Sequence, residues 1–324
     1  MRAVRFHGAG DLRVESVPEP LPGPDEVLLE PLAVGVCGTD LHIVDGEFPA
    51  RPPVVLGHEV AGRIVAVGSA VDGARVGELV AVQPNVPCGG CGPCRLGREH
   101  LCAARRAYGV DLDGGMAERM VLPARLAFPV PPDTDPTLAA LTEPLACCVH
   151  AMDRLAPRSG LPLLVMGCGP AGALLVALAR QSGLGPIVAA DPRPDRRDLA
   201  LRMGADSALD PDSLEGEFAY CVDAVGSPSV LETCMRLAAP GGTVLVFGVA
   251  APSAVASVRP YAIYAKELTV LGTAVNPFTQ SRAIELLGRL PLHQFRRATF
   301  PLDRAAEALV AARARSADKV LLVA

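Results

Sequence analysis

The 324 residues predict an α/β protein built in two parts. Three observations carry that expectation. The first third alternates short apolar runs with Gly and Pro, the pattern of strands in a partly open β-barrel or sandwich. The middle alternates continuous apolar runs with helix-period segments, as buried strands and crossover helices of a parallel sheet do. Between one such run and the helix after it lies a glycine-rich turn at residues 167–172.

The elements follow in chain order. Strands are expected at 27–29, 54–56, 62–67 and 79–82. The Pro-rich segment 129–136 marks the passage into the parallel sheet. There, strands are expected at 161–166, 186–190, 218–225, 243–249 and 268–272, with a helix at 171–180. Two helices at 279–290 and 303–314 precede a final apolar strand from residue 320. The uncharged stretch 159–179 is long enough to span a bilayer. Its central glycines and proline make it a strand, a turn and a helix instead, so no membrane span is expected.

Composition narrows the function. Half the residues are hydrophobic and a fifth are charged, which excludes a disordered chain. The net charge of −5 offers no broad basic field, so no nucleic-acid partner is expected. Trp is absent and aromatics are 4%, which argues against an aromatic stacking platform. Lys266 and Lys319 are the sole lysines of an Arg-rich chain. Ten cysteines, four of them clustered, fit metal chemistry in a reducing compartment, and MRAVRFHGAG holds no secretory apolar core. A cytoplasmic location is therefore expected.

Three constellations carry chemistry. Cys88, Cys91, Cys94 and Cys102 have the spacing of a closed, all-thiolate structural zinc site, with Gly89, Gly90 and Gly92 allowing tight turns. Cys37 in GVCGTDLH, His58 in LGHEVAG and Glu143 in LTEPLACC offer the three protein ligands of a catalytic zinc, although spacing alone does not join them. Gly167-Cys168-Gly169-Pro170-Ala171-Gly172 stands between a strand and a helix, and Asp191 ends the next apolar run. That context makes it a dinucleotide loop. Gly167 permits the turn, Gly169 admits a pyrophosphate, and Gly172 permits close helix packing. Cys168 lies in the same loop, where an accessible thiol would be open to oxidation.

These motifs, with CGGCGPCRLGREHLC, VDAVG and the ending DKVLLV, resemble the zinc-dependent medium-chain dehydrogenases. Within them the chain is most similar to the polyol and threonine dehydrogenase branch. The resemblance covers essentially the whole chain. It implies a GroES-like β-barrel catalytic domain (1–146), a Rossmann domain with a doubly wound parallel sheet (147–272), and a C-terminal segment (273–324) returning to the catalytic domain. It departs from the pattern at 211–218, where a crossover helix is expected to be trimmed to a loop.

Carried onto matching positions, the resemblance makes Cys37, His58 and Glu143 ligands of a catalytic zinc, beside the structural zinc. Glu59 becomes a carboxylate that replaces or holds the zinc water. Asp40 becomes the hydrogen-bond partner that orients His58. Thr39 touches the substrate oxygen, and His42 passes its proton toward solvent. Pro170, Ala171, Val225 and Gly248 join the three glycines and Asp191 as cofactor contacts. Asp191 favours NAD(H), whereas Arg193, Arg196 or Arg197 would suit the 2′-phosphate of NADP(H). Those arginines also read as a surface helix start. The implied reaction is hydride transfer between NAD(P) and a secondary alcohol: a polyol, cyclitol, amino-alcohol or hydroxy amino acid. Asp45, Glu47, Asp111 and Asp113 are compatible with such a substrate, but are read first as solvated loop charge. A homodimer or homotetramer is implied, with the strand near 267–275 extending a sheet across the dimer. Two other readings stand beside this one. One is a metal-independent quinone or enoyl reductase of the same fold; the other is a zinc-cluster regulatory or nucleic-acid-binding protein.

Overall fold

A computed structural model describes residues 1–323. The chain forms two compact units. The first contains Met1–Pro144, Gln280–Leu287 and the described residues from Arg296 on; the second contains Leu145–Thr279 and Gly288–Phe295.

The first unit is built on a seven-stranded sheet. Its order is Ala127–Pro129, Leu79–Val82, Glu59–Val67, Glu26–Gly35, Lys319–Val323 and Arg297–Pro301, with Met120–Pro123 also pairing to Glu26–Gly35. The final strand thus inserts between Glu26–Gly35 and the edge strand Arg297–Pro301. Its Leu321 lies opposite Gly35, and Gly35 in turn lies opposite Glu59. Leu29, Leu56, Ile64 and Leu122 are fully buried and join Val320 and Leu322 in one core. Truncating a side chain such as Leu29 to alanine would cost about 2–5 kcal/mol, through lost transfer energy and the cavity left behind. A hairpin of Arg2–Gly8 and Asp11–Ser16 pairs with Val54–Val55 in a second, small sheet. The sequence reading did not place this hairpin, because arginines and a histidine interrupt its apolar alternation.

The second unit holds a six-stranded, wholly parallel sheet. Its order is Ser207–Leu209, Ile187–Ala190, Leu163–Met166, Phe218–Asp223, Ala238–Val246 and Thr269–Gly272. The order reverses beside Leu163–Met166, and ligands of such sheets bind at the strand ends where this happens. Between Leu209 and Phe218 stands only the single turn Pro211–Ser213, so the crossover helix is indeed trimmed. Helix Pro170–Gln181 buries every residue from Gly172 to Ala179. That burial explains the uncharged stretch 159–179. Among the described residues, no helix is long and apolar enough to cross a membrane.

Candidate active site

The four clustered cysteines converge. The sulfur atoms of Cys88, Cys91, Cys94 and Cys102 lie within 4.8 Å of one another, and none forms a disulfide. Cys91 and Cys94 are 3.4 Å apart at sulfur, and the Cys88 amide donates to Cys102 Sγ at 3.5 Å. The amides of Gly90 and Cys91 point at the Cys88 sulfur and lower its pKa to about 6. A thiolate is the metal-binding form, so this donor set fits a closed tetrahedral zinc site. Of the three glycines expected to make turns here, Gly89 alone takes a left-handed conformation, at φ +72°.

A second group forms where neighbouring strands of the first unit end. Cys37 caps helix Gly38–Val44, and its amide donates to Asp40 Oδ2 at 2.8 Å. The donor atoms of Cys37, His58 and Glu59 lie within 4.8 Å of one another. His58 Nδ1 stands 3.7 Å from Asp40 Oδ1, and both atoms are buried without a hydrogen-bond partner. The expected orienting hydrogen bond is therefore a charge contact at this distance. Burial opposes a charge on His58. Asp40 and Cys37 outweigh it and raise the imidazole pKa well above its usual value. A sulfur, a nitrogen and carboxylate oxygens, incompletely satisfied in the interior, fit a zinc ion.

Glu143 occupies the first turn of helix Thr142–Leu155 and is buried, but it stands outside this 4.8 Å set. Glu59 takes its place in the set. The Thr39 hydroxyl lies 3.8 Å from Cys37 Sγ. His42 is exposed and meets Glu47, with Nδ1 and Oε2 2.6 Å apart. Asp111 and Asp113 accept the amides of Ala107 and Val55, and Asp45 pairs with Arg313. Each of these acids thus has a partner within the chain.

Lys319 is the residue that sequence reasoning missed. Its ammonium meets Glu59 Oε2, with both side chains almost wholly buried. Burial alone would lower its pKa, but Glu59, Cys37 and Asp40 raise it, so the lysine stays charged. Gly35 underlies the pair. A β-carbon there would fall 2.0 Å from Glu59 Oε2 and 2.8 Å from Lys319 Cε. A signal was present: Lys319 opens an otherwise apolar strand in a chain with one other lysine.

The glycine-rich loop expected to receive a dinucleotide lies in the second unit. Gly167 has φ +95°, and a β-carbon on it would strike Val225 Cγ2 at 2.6 Å. Gly169 caps helix Pro170–Gln181, and the space beside its α-carbon is open. Pro170 and Ala171 form the first turn, next to Gly172. Asp191 accepts the Cys168 amide through Oδ2 and the Arg193 amide through Oδ1, both at 2.9 Å. Arg193 forms a two-bond pair with Asp195 at 3.0 and 2.8 Å. Arg197 donates to the carbonyls of Asp191 and Pro192. Arg196 is buried, which corrects the reading of a surface helix start at that position. Cys168 is buried too. Burial and then Asp191 push its thiol up to about 12, so the accessible thiol does not exist. Asp223 ties the adjoining loops together. Its carboxylate accepts the amides of Val225 and Gly226, and its carbonyl accepts those of Phe247 and Gly248.

Residues 23–132 match the alcohol dehydrogenase GroES-like domain, and residues 170–289 match the zinc-binding dehydrogenase family. The chain is a zinc-dependent medium-chain dehydrogenase. The dehydrogenase is 37% identical to an L-threonine 3-dehydrogenase of Pyrococcus abyssi, over 78% of this chain and 76% of that one. It is 33% identical to D-arabinitol dehydrogenase 1 of Uromyces fabae, over 89% and 86%. A Sinorhizobium meliloti 1021 protein described as a zinc-binding dehydrogenase, solved bound to NADP, superposes with a TM-score of 0.96 at 35% identity. That match covers 100% of this chain and 99% of that one. The dehydrogenase therefore belongs to the polyol and threonine branch and is a zinc- and NAD(P)-dependent oxidoreductase of small-molecule alcohols.

Proposed function

We propose that the dehydrogenase transfers a hydride between a secondary hydroxyl of a polyol, cyclitol, amino-alcohol or hydroxy amino acid and its cofactor, with NAD preferred to NADP. The observation that carries this reading is the convergent sulfur, nitrogen and oxygen donor set of half-buried Cys37 with His58 and Glu59. Cys37 and His58 hold the catalytic zinc together with Glu143, and the four clustered cysteines hold a structural zinc. Zinc, when bound, supplies a Lewis acid that lowers the pKa of a hydroxyl, and the nicotinamide accepts the hydride.

The chain's own residues do the rest. Thr39, next to Cys37 in space, receives the hydroxyl proton, and His42 hands it to solvent beside Glu47. Gly167, Gly169 and the first turn of Pro170–Gln181 receive the pyrophosphate on backbone amides. Asp191, already oriented by two amides, accepts the adenosine ribose hydroxyls. Arg193 is occupied by Asp195, which supports NAD as the preferred cofactor.

Domain roles follow: residues 1–146 with 273–324 serve the metal, and residues 147–272 serve the cofactor. A cytoplasmic homo-oligomer is part of the reading. Tyr261 and Tyr264 on helix Pro260–Lys266 and Val270 on the edge strand Thr269–Gly272 are exposed, and an open apolar strand edge favours pairing with a second copy.

The test is reduction of NAD⁺ and NADP⁺ followed by absorbance across sugar alcohols, cyclitols, aminocyclitols, diols and L-threonine. One class should turn over, faster with NAD⁺. C37A and E143A should abolish turnover while NADH still binds. Retained turnover in both variants would sink the ligand assignment.

A further inference from the structure

Lys319 has no role in hydride transfer as described above, yet it pairs with Glu59, a member of the donor set. Glu59 shares a 4.8 Å group with Cys37 and His58, so its carboxylate is within reach of any metal they hold. Carboxylate oxygen is a good zinc ligand, and a third firm ligand from this set would compete with substrate for the ion. An opposing cation is already in place. Lys319 Nζ contacts Glu59 Oε2, and the two side chains are only 4% and 2% exposed. At that depth little solvent screens their attraction.

The backbone is shaped to allow the contact. Lys319 enters on the interior strand Lys319–Val323, and Gly35 of the neighbouring strand leaves the space through which the pair meets. A slender ammonium stem fits there, in a chain whose one other lysine is Lys266.

We propose that Lys319 is a positioning residue that holds the Glu59 carboxylate away from the metal and so keeps the metal open to substrate. This rests on the reading of Cys37 and His58 as metal ligands. Removing the ammonium frees the carboxylate to coordinate. Removing the carboxylate as well reopens the site.

The test uses the full-length protein loaded with Co²⁺, with imidazole as the exogenous ligand, followed by changes in the visible absorption bands. The four-cysteine site gives a constant background, so imidazole-dependent changes report the second site. Unsubstituted protein should take up cobalt at both sites and respond to imidazole. Uptake at the four-cysteine site alone would refute the ligand reading itself. Uptake at both sites without an imidazole response would overturn the role of Lys319, because the metal would be closed despite it. In K319M the imidazole affinity should fall about tenfold or more, and K319M/E59Q should restore it. Unchanged affinity in K319M, or a loss that E59Q does not rescue, would overturn the proposal.

K319M leaves Glu59 buried and unpaired, which endangers folding. E59Q alone provides the second measurement. With Lys319 present, it should leave imidazole affinity within about twofold, below the tenfold scale of such neighbouring-group effects. A larger gain would show Glu59 competing despite Lys319 and would overturn the role.

Discussion

Gly172 packs its α-carbon so closely on the carbonyl of Gly167 that a β-carbon would lie 1.8 Å from that oxygen. The contact binds the start of helix Pro170–Gln181 to the end of strand Leu163–Met166. G172A should therefore displace the helix start and weaken NADH binding about tenfold or more, by pulling the amides away from the pyrophosphate. Zinc content should stay at the unsubstituted value, since the metal-binding candidates lie in the other unit. Fluorescence titration with NADH and elemental analysis check both halves.

The pairing of Arg193 with Asp195 bears on cofactor choice. D195A should release the guanidinium from this carboxylate, and a guanidinium suits a phosphate geometrically. The NADP⁺ KM should fall several-fold while that for NAD⁺ changes little. The pair is about one-third exposed, so its own contribution to stability is small. Parallel kinetics with both cofactors decide the matter, and an unchanged ratio would count against occupancy of Arg193 as the determinant.

Cys168 should be inert in the native state. Its thiol is buried and pushed up to about 12, so thiolate accumulates only as the pH approaches that value. At pH 8 it should resist iodoacetamide and react only on unfolding. Mass-spectrometric mapping of alkylated cysteines, native against denatured, checks this.

The four-cysteine lobe should lose its metal as a unit. C94S removes one of four convergent sulfurs and should release one zinc equivalent per chain. The midpoint of thermal unfolding should fall, because the loop from Cys88 to Cys102 has little buried apolar surface of its own. Zinc counting by a colorimetric chelator and calorimetry provide the readouts.

Much of this protein was legible in one dimension. The four cysteines, the glycine-rich turn and the parallel-sheet strands each occupy short segments. Their chemistry is local: fixed spacing brings thiols round one ion, and a left-handed turn requires Gly167. The missed hairpin Arg2–Gly8 with Asp11–Ser16 shows the opposite case. Its stability comes from Val54–Val55 and the core, which no nearby periodicity records.

The sequence by itself determined the fold class, the metal chemistry of the cysteine cluster and the glycine-rich turn between strand and helix. Tertiary structure alone decided which carboxylate stands with Cys37 and His58, that Arg196 and Cys168 are buried, and that Lys319 reaches Glu59. The reason is physical. Gly35, Glu59 and Lys319 are far apart along the chain, and only strand register sets them side by side. Once there, loss of water makes each charge depend on the other, and neither residue carries that dependence alone.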